Sequence, residues 1–290
     1  METSDLIKKV RKIEIKTRGL SNQIFSGQYH TAFKGRGMAF SEVREYQFGD
    51  DVRSIDWNVT ARFNHPYVKV FEEEREMTVM LIVDVSKSNV FGTKKMLKSE
   101  VMTELSAVLA FSAINNNDKV GVIFFSDRIE KFIPPKKGTT HILRIIRELI
   151  DFKAEGTGTN ITEALRYFTN VIKKRCTAFI ISDFIDENFD NAMKIANNKH
   201  DLVAVRIHDE RESFLPNLGL MKVKDAETGK SVWLDTSTER VRNAYANFWK
   251  KNESYVKTLC NKSGVDLVEI STDMDYVRPL INLFKKRGGK

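Results

Sequence analysis

Asp84-Val85-Ser86-Lys87-Ser88 sets one carboxylate and two hydroxyls at alternate positions, directly after the apolar run Met77–Val83. In extended chain, residues i, i+2 and i+4 point to the same side, so the three side chains can converge. An all-oxygen set of this kind suits a hard, partly hydrated divalent cation such as Mg2+. Alone the pattern is weak, because serine-rich turns follow many strands. Two later segments strengthen it. Gly156-Thr157-Gly158-Thr159-Asn160 offers a further hydroxyl, Thr159, in a tight turn ahead of a helical pattern through Leu165, Phe168, Val171 and Ile172. Ala178–Ser182 is a buried-strand pattern that ends in Asp183. Open α/β sheets bind ligands at the carboxyl ends of their strands. If the Met77 and Ala178 strands are parallel neighbours, Asp84 and Asp183 meet there.

The elements that would position these groups alternate between strand and amphipathic helix from Met77 onward, which predicts a largely parallel sheet covered on both sides. Residues 94–116 put Leu97, Val101, Leu105, Val108 and Leu109 on one helical stripe. Lys119–Phe125 reads as a strand, and Ile129–Ile133 as its hairpin partner, stopping before Pro134-Pro135. Helices are expected over 140–150, 161–174 and 190–198, with strands at 202–207 and 265–270. The segment 213–235 breaks the rhythm: 220–223 and 231–234 flank a turn sequence and predict an inserted β-hairpin. A long helix carrying Val241, Tyr245 and Phe248 follows, and 276–284 closes the chain. Residues 1–76 lack βα alternation and read as an N-terminal extension packed on the main domain, 77–290.

At 290 residues, with 41% apolar and 30% charged residues, the chain has the composition of a globular protein with ample core. Its apolar runs fall far short of the ~18 residues that span a bilayer, and the first residues lack a secretory signal's apolar stretch. Two cysteines, Cys176 and Cys260, do not make a disulfide scaffold. A cytoplasmic protein is expected. The net charge of +8 raises nucleic acid or an anionic membrane surface as partners. Much of the excess sits in Lys8, Lys9, Arg11, Lys12, Lys16 and Arg18, on a potential amphipathic helix, and in Lys285-Lys286-Arg287. A solvated helix face and a soluble tail explain both, while peripheral membrane contact stays open.

Enzyme chemistry lacks its residues. A haloacid-dehalogenase-type phosphatase would want a carboxylate at Ser86. Gly229-Lys230-Ser231 imitates the end of a phosphate-binding loop, but Lys224 stands where the first glycine belongs. The five histidines show no zinc-ligand spacing. A metal-dependent phosphohydrolase using Asp84 and a basic nucleic-acid-binding protein remain the alternatives to a binding module.

A second constellation is Arg44-Glu45-Tyr46-Gln47-Phe48-Gly49-Asp50-Asp51-Val52-Arg53-Ser54-Ile55-Asp56-Trp57, with Arg62 and Glu72-Glu73-Glu74 beyond it. Bidentate arginine–carboxylate pairs hold geometry well, so a network fastening the extension to the sheet domain is the expected role. Paired-carboxylate catalysis is the other reading.

The Asp84, Ser86, Ser88, Thr159 and Asp183 set resembles the metal-ion-dependent adhesion site of von Willebrand factor A domains. Gly35-Arg36-Gly37, then Arg44-x-Tyr46-x-x-Gly49-Asp50-Asp51-x-Arg53-x-Ile55-Asp56-Trp57 and Ala61-Arg62, resembles the signature of the bacterial "domain of unknown function 58" proteins. So does the Leu215-Pro216…Gly219, Asp225…Gly229 hairpin. The likeness runs from about Thr17 to Phe284. It implies a von Willebrand A-like domain with a bound Mg2+ or Mn2+, no catalysis, and adaptor or co-chaperone work with a MoxR-type AAA+ ATPase. The N-terminal membrane helices of many such proteins have no matching apolar run here, so their membrane association is not carried over.

Overall fold

In the computed structural model the described residues are 39–72, 77–92, 96–224, 229 and 231–288. The basic segment 1–18 and Gly35-Arg36-Gly37 lie outside them. The chain divides into two compact units, one of them Lys34–Met77. In that unit β1 (Ala39–Glu45) pairs antiparallel with β2 (Tyr67–Glu72), and helix α1 (Trp57–Phe63) lies in the connection between them.

The larger unit holds a six-stranded sheet. In chain order its elements are β3 (Thr78–Asp84), α2 (Lys98–Asn115), β4 (Lys119–Phe125), β5 (Ile129–Lys136), α3 (Thr139–Asp151), α4 (Ile161–Val171), β6 (Thr177–Ser182), α5 (Asp190–Lys199) and β7 (Asp201–His208). The hairpin β8 (Leu220–Lys224) and β9 (Ser231–Asp235) follows, then α6 (Glu239–Ser263), β10 (Asp266–Ser271) and α7 (Val277–Gly288). The strand order is β10-β7-β6-β3-β4-β5, parallel except for the β4–β5 hairpin. The buried hydrophobic runs arise from this burial: β3, β4 and β6 are covered on both faces. Met80, Ile82, Ile123, Ala178 and Ile180 face Leu165, Phe168, Met193, Val256 and Leu259 of α4, α5 and α6 in one cluster. Their alternating neighbours Val79, Leu81, Val122 and Phe179 are equally buried on the opposite face.

Two expectations need correction. Strand β5 runs through Pro134-Pro135 to Lys136, because it is the sheet's edge and a proline's missing N–H is tolerated there. In α6, Trp249 is buried while Phe248 is exposed; the helix turns its core stripe one residue further along.

Candidate metal and ligand site

From β3 the chain moves outward to β4 and β5 on one side, then returns to place β6, β7 and β10 on the other. The reversal falls between β3 and β6, the crevice where sheets of this kind bind ligands. Asp84 ends β3 and Asp183 follows β6 at that point.

Asp84, Ser86 and Asp183 are buried. The Ser86 backbone N–H donates to Asp84 Oδ1 at 2.9 Å, and Ser86 Oγ lies 2.9 Å from Ser88 Oγ. The carboxylate and both hydroxyls thus converge, but through a 3-10 turn over Lys87–Val90 that starts at Ser86, not through the extended alternation expected, because β3 ends at Asp84. The Ser182 hydroxyl, immediately before Asp183, donates to Asp84 Oδ2 at 2.6 Å and accepts from the Phe184 N–H at 3.0 Å. Fully buried Phe184 adopts φ +57°, a left-handed conformation that a bulky residue adopts only when its surroundings enforce it. The sharp bend after Asp183 brings the Ile185 N–H to Asp183 Oδ1 at 3.3 Å.

Thr159 reaches the same end of the sheet by two anchors. The Asn160 N–H donates to Ser126 O beyond β4, and the Ile161 N–H donates to Asp186 Oδ2 beyond β6. Glu130 of β5 pins the loop further: its Oε1 accepts from Ser126 Oγ at 2.6 Å and from the Gly156 N–H at 2.7 Å. The loop bearing Thr159 is therefore held across β3, where Asp84 emerges.

Lys98 was not among the candidates. It is the first residue of α2 and has no exposed surface. Its Nζ donates to Asp183 Oδ2 at 2.8 Å and to Glu212 Oε1 at 2.6 Å. Glu212 also accepts from the Asp209 N–H, closing the short 3-10 turn after β7. Burial works against the ammonium, yet the two carboxylates outweigh it and hold its pKa above the ordinary lysine value. Burial pushes Glu212 up. Burial and the nearby Asp183 charge push Asp84 up to about 7.

These residues fit a hard cation. Asp84 and Asp183 repel one another in a desolvated crevice, a strain that a divalent ion between them would relieve. Asn89 donates to Asp84 O and Ser86 Oγ while its buried Oδ1 has no hydrogen-bond partner among the described residues. Among those residues no three His, Cys, Asp or Glu side chains cluster as metal ligands, so an ion would rest on two carboxylates and the hydroxyls of Ser86, Ser88 and Thr159.

The second constellation builds its own unit. Arg44 Nη1 and Nη2 each lie 2.8 Å from an Asp50 oxygen, and Asp50 Oδ2 also accepts from the Gln47 N–H. Gly49 completes that turn at φ +109°, a value that demands glycine. Asp51 caps the 3-10 turn 52–54 through the Arg53 N–H, and Asp56 caps α1 through the N–H groups of Asn58 and Val59. Tyr46 N–H donates to Pro66 O. Arg44, Asp50, Asp51 and Asp56 thus find partners inside the unit. Arg53, Arg62, Phe48 and Trp57 are exposed.

Comparison with known proteins agrees with this reading of the fold. Residues 42–255 match the family described as "Protein of unknown function DUF58". An uncharacterized protein of Mycobacterium tuberculosis, Rv1480, is 25% identical over 283 residues, covering 96% of this chain and 88% of the relative. Among solved structures, an aerotolerance-related membrane protein from Bacteroides fragilis aligns over 72% of this chain and 99% of its own, with 15% identity and a TM-score of 0.51. The SpRpn10 VWA domain aligns over 71% of this chain and 94% of its own, with 10% identity and a TM-score of 0.38. No helix among the described residues is long and apolar enough to cross a membrane. The chain belongs to the DUF58 family, and its larger unit is an α/β domain built on a largely parallel six-stranded sheet.

Proposed function

We propose that this chain is a non-enzymatic, metal-dependent protein-binding adaptor. The observation that carries the reading is the meeting of Asp84, Ser86 and Ser88 with Asp183 at the sheet's switch point, backed by a loop that holds Thr159 nearby. Mg2+ or Mn2+ would be held by the two carboxylates and the hydroxyls, and would supply a coordination position for a carboxylate from a partner's Asp or Glu. Ser182 fixes the rotamer of Asp84, and Lys98 holds one oxygen of Asp183. The resemblance to adhesion-site proteins supports the metal, and the family likeness supports a MoxR-type AAA+ ATPase as partner and a co-chaperone role at the cytoplasmic side.

The test is retention of such an ATPase from a native lysate on immobilised chain. Retention by wild type with Mg2+, lost with chelator and with Asp84→Ala, is the expected outcome. Retention indifferent to both would move the interface elsewhere, with the exposed Phe48 and Trp57 as the next surface to alter.

One observation favours a second reading. The Lys98 ammonium already places a positive charge against Asp183, so the crevice could serve its partner without a metal. Mg2+-independent retention that is lost on Asp84→Ala would select this reading.

A further inference from the structure

Lys98 is the least expected residue in the crevice: a wholly buried lysine joining a carboxylate at the end of β6 to another beyond β7. Such burial is rare unless the charge is paired, and here it is paired twice. Asp84, Asp183, Glu212 and Lys98 form one charge group, since Asp183 acts on Asp84, on Lys98 and on Glu212. Three carboxylates and one ammonium leave two net negative charges, which one divalent ion cancels. A neutral loaded crevice can accept a further anion. With Lys98 absent, the loaded crevice would keep a net negative charge, which holds the ion more tightly and repels an incoming carboxylate.

We propose that Lys98 is a positioning and charge-setting residue: paired with Asp183 and Glu212, it weakens the crevice's hold on its divalent ion and leaves the loaded site receptive to a carboxylate ligand. This rests on the metal reading above. A merely structural ion pair makes a different prediction, because loosening the crevice by removing Lys98 would weaken ion and ligand together. Opposite signs for the two affinities are the signature of the charge role.

The experiment is calorimetric titration with Mn2+, at matched free-ion concentration, in chloride buffer and again in acetate as the carboxylate probe. Lys98→Met is expected to bind Mn2+ at least about tenfold more tightly, as loss of one unit charge at short range implies in a partly desolvated site. The strengthening of Mn2+ binding by acetate should shrink in the same variant. Glu212→Gln changes the charge the other way and should weaken Mn2+ binding while enlarging the acetate effect. Its amide oxygen still offers the Lys98 ammonium a partner, so it carries the test alone should Lys98→Met fail to fold. Weakening of both affinities in Lys98→Met, or no change in Glu212→Gln, overturns the role of Lys98 and leaves the metal reading standing. Absence of Mn2+ binding in wild type and both variants removes the metal reading, and this inference with it. Binding in Lys98→Met alone, with none in wild type at millimolar ion, likewise removes the metal reading of the natural crevice and this inference with it.

Discussion

Gly156→Ala tests whether the loop carrying Thr159 is clamped as the geometry indicates. A Cβ on Gly156 would fall far inside contact distance of Asp127 Oδ1 and Ser126 Oγ, with Asp127 Cγ at 3.0 Å. Asp127 is partly exposed and can swing away. Ser126 cannot, because it is fully buried and its hydroxyl donates to Glu130 Oε1, the oxygen that also takes the Gly156 N–H. Either Ser126 rotates and loses Glu130, or the loop retreats by about an ångström and breaks the Gly156–Glu130 bond, since contacts that close are steeply repulsive. Each is a hydrogen bond to a charged acceptor, of about 1.5–3 kcal/mol, and one of the two must go. A loss of about 2–3 kcal/mol follows, which for a chain of this size lowers Tm by roughly 4–6 °C. Urea unfolding and a thermal scan give the stability, and Mn2+ titration should show weaker binding because Thr159 moves with the loop. A variant within about 0.5 kcal/mol of wild type, with Mn2+ affinity unchanged, would refute the clamp.

Other consequences are open to equally direct checks. Ser182→Ala removes the donor to Asp84 Oδ2 and strands the Phe184 N–H; a loss of about 1–3 kcal/mol is expected by urea unfolding, together with weaker Mn2+ binding, and a neutral variant would contradict the role of Ser182. Burial and the neighbouring Asp183 charge push the Asp84 carboxyl up to about 7 in the folded chain, well above the ordinary carboxylate range, so between the two the folded chain holds a proton that the unfolded chain releases. Metal-free stability should therefore fall as pH rises from about 4 to about 7, then level off. Asp84→Asn should flatten that slope, as should saturating Mg2+, and an identical slope in the variant would assign it to other groups. Arg44→Lys cannot keep both contacts to Asp50; faster proteolysis at residues 46–50 is expected, while protection equal to wild type would show that the bidentate pair is dispensable.

The Asp84 motif was legible because its spacing is local, within five residues, although a 3-10 turn rather than strand alternation gathers the hydroxyls, and Asp183 because a buried strand delivers it. Residues whose partners lie far along the chain carried no such signal. Lys98 opens a helix, where a lysine reads as solvated, and Glu212 is 114 residues away in an irregular segment. Ser182 adjoins Asp183 in the sequence, and only the pairing of β3 with β6 reveals that it serves Asp84. Likewise Glu130 and Gly156 meet only once β5 and the glycine loop are brought together. In the smaller unit, the acidic and basic residues were recognised as a network, but their caps and turn contacts are local and could be assigned only with the backbone path in view.

The measurement that tests the central claim most directly is calorimetric titration of Mg2+ and Mn2+ into wild type, Asp84→Ala and Thr159→Ala. Saturable binding of one ion to wild type, abolished by Asp84→Ala and weakened by Thr159→Ala, is the predicted result. Absence of binding to folded wild type at millimolar ion, or binding that survives Asp84→Ala, would contradict the metal site on which the adaptor reading stands.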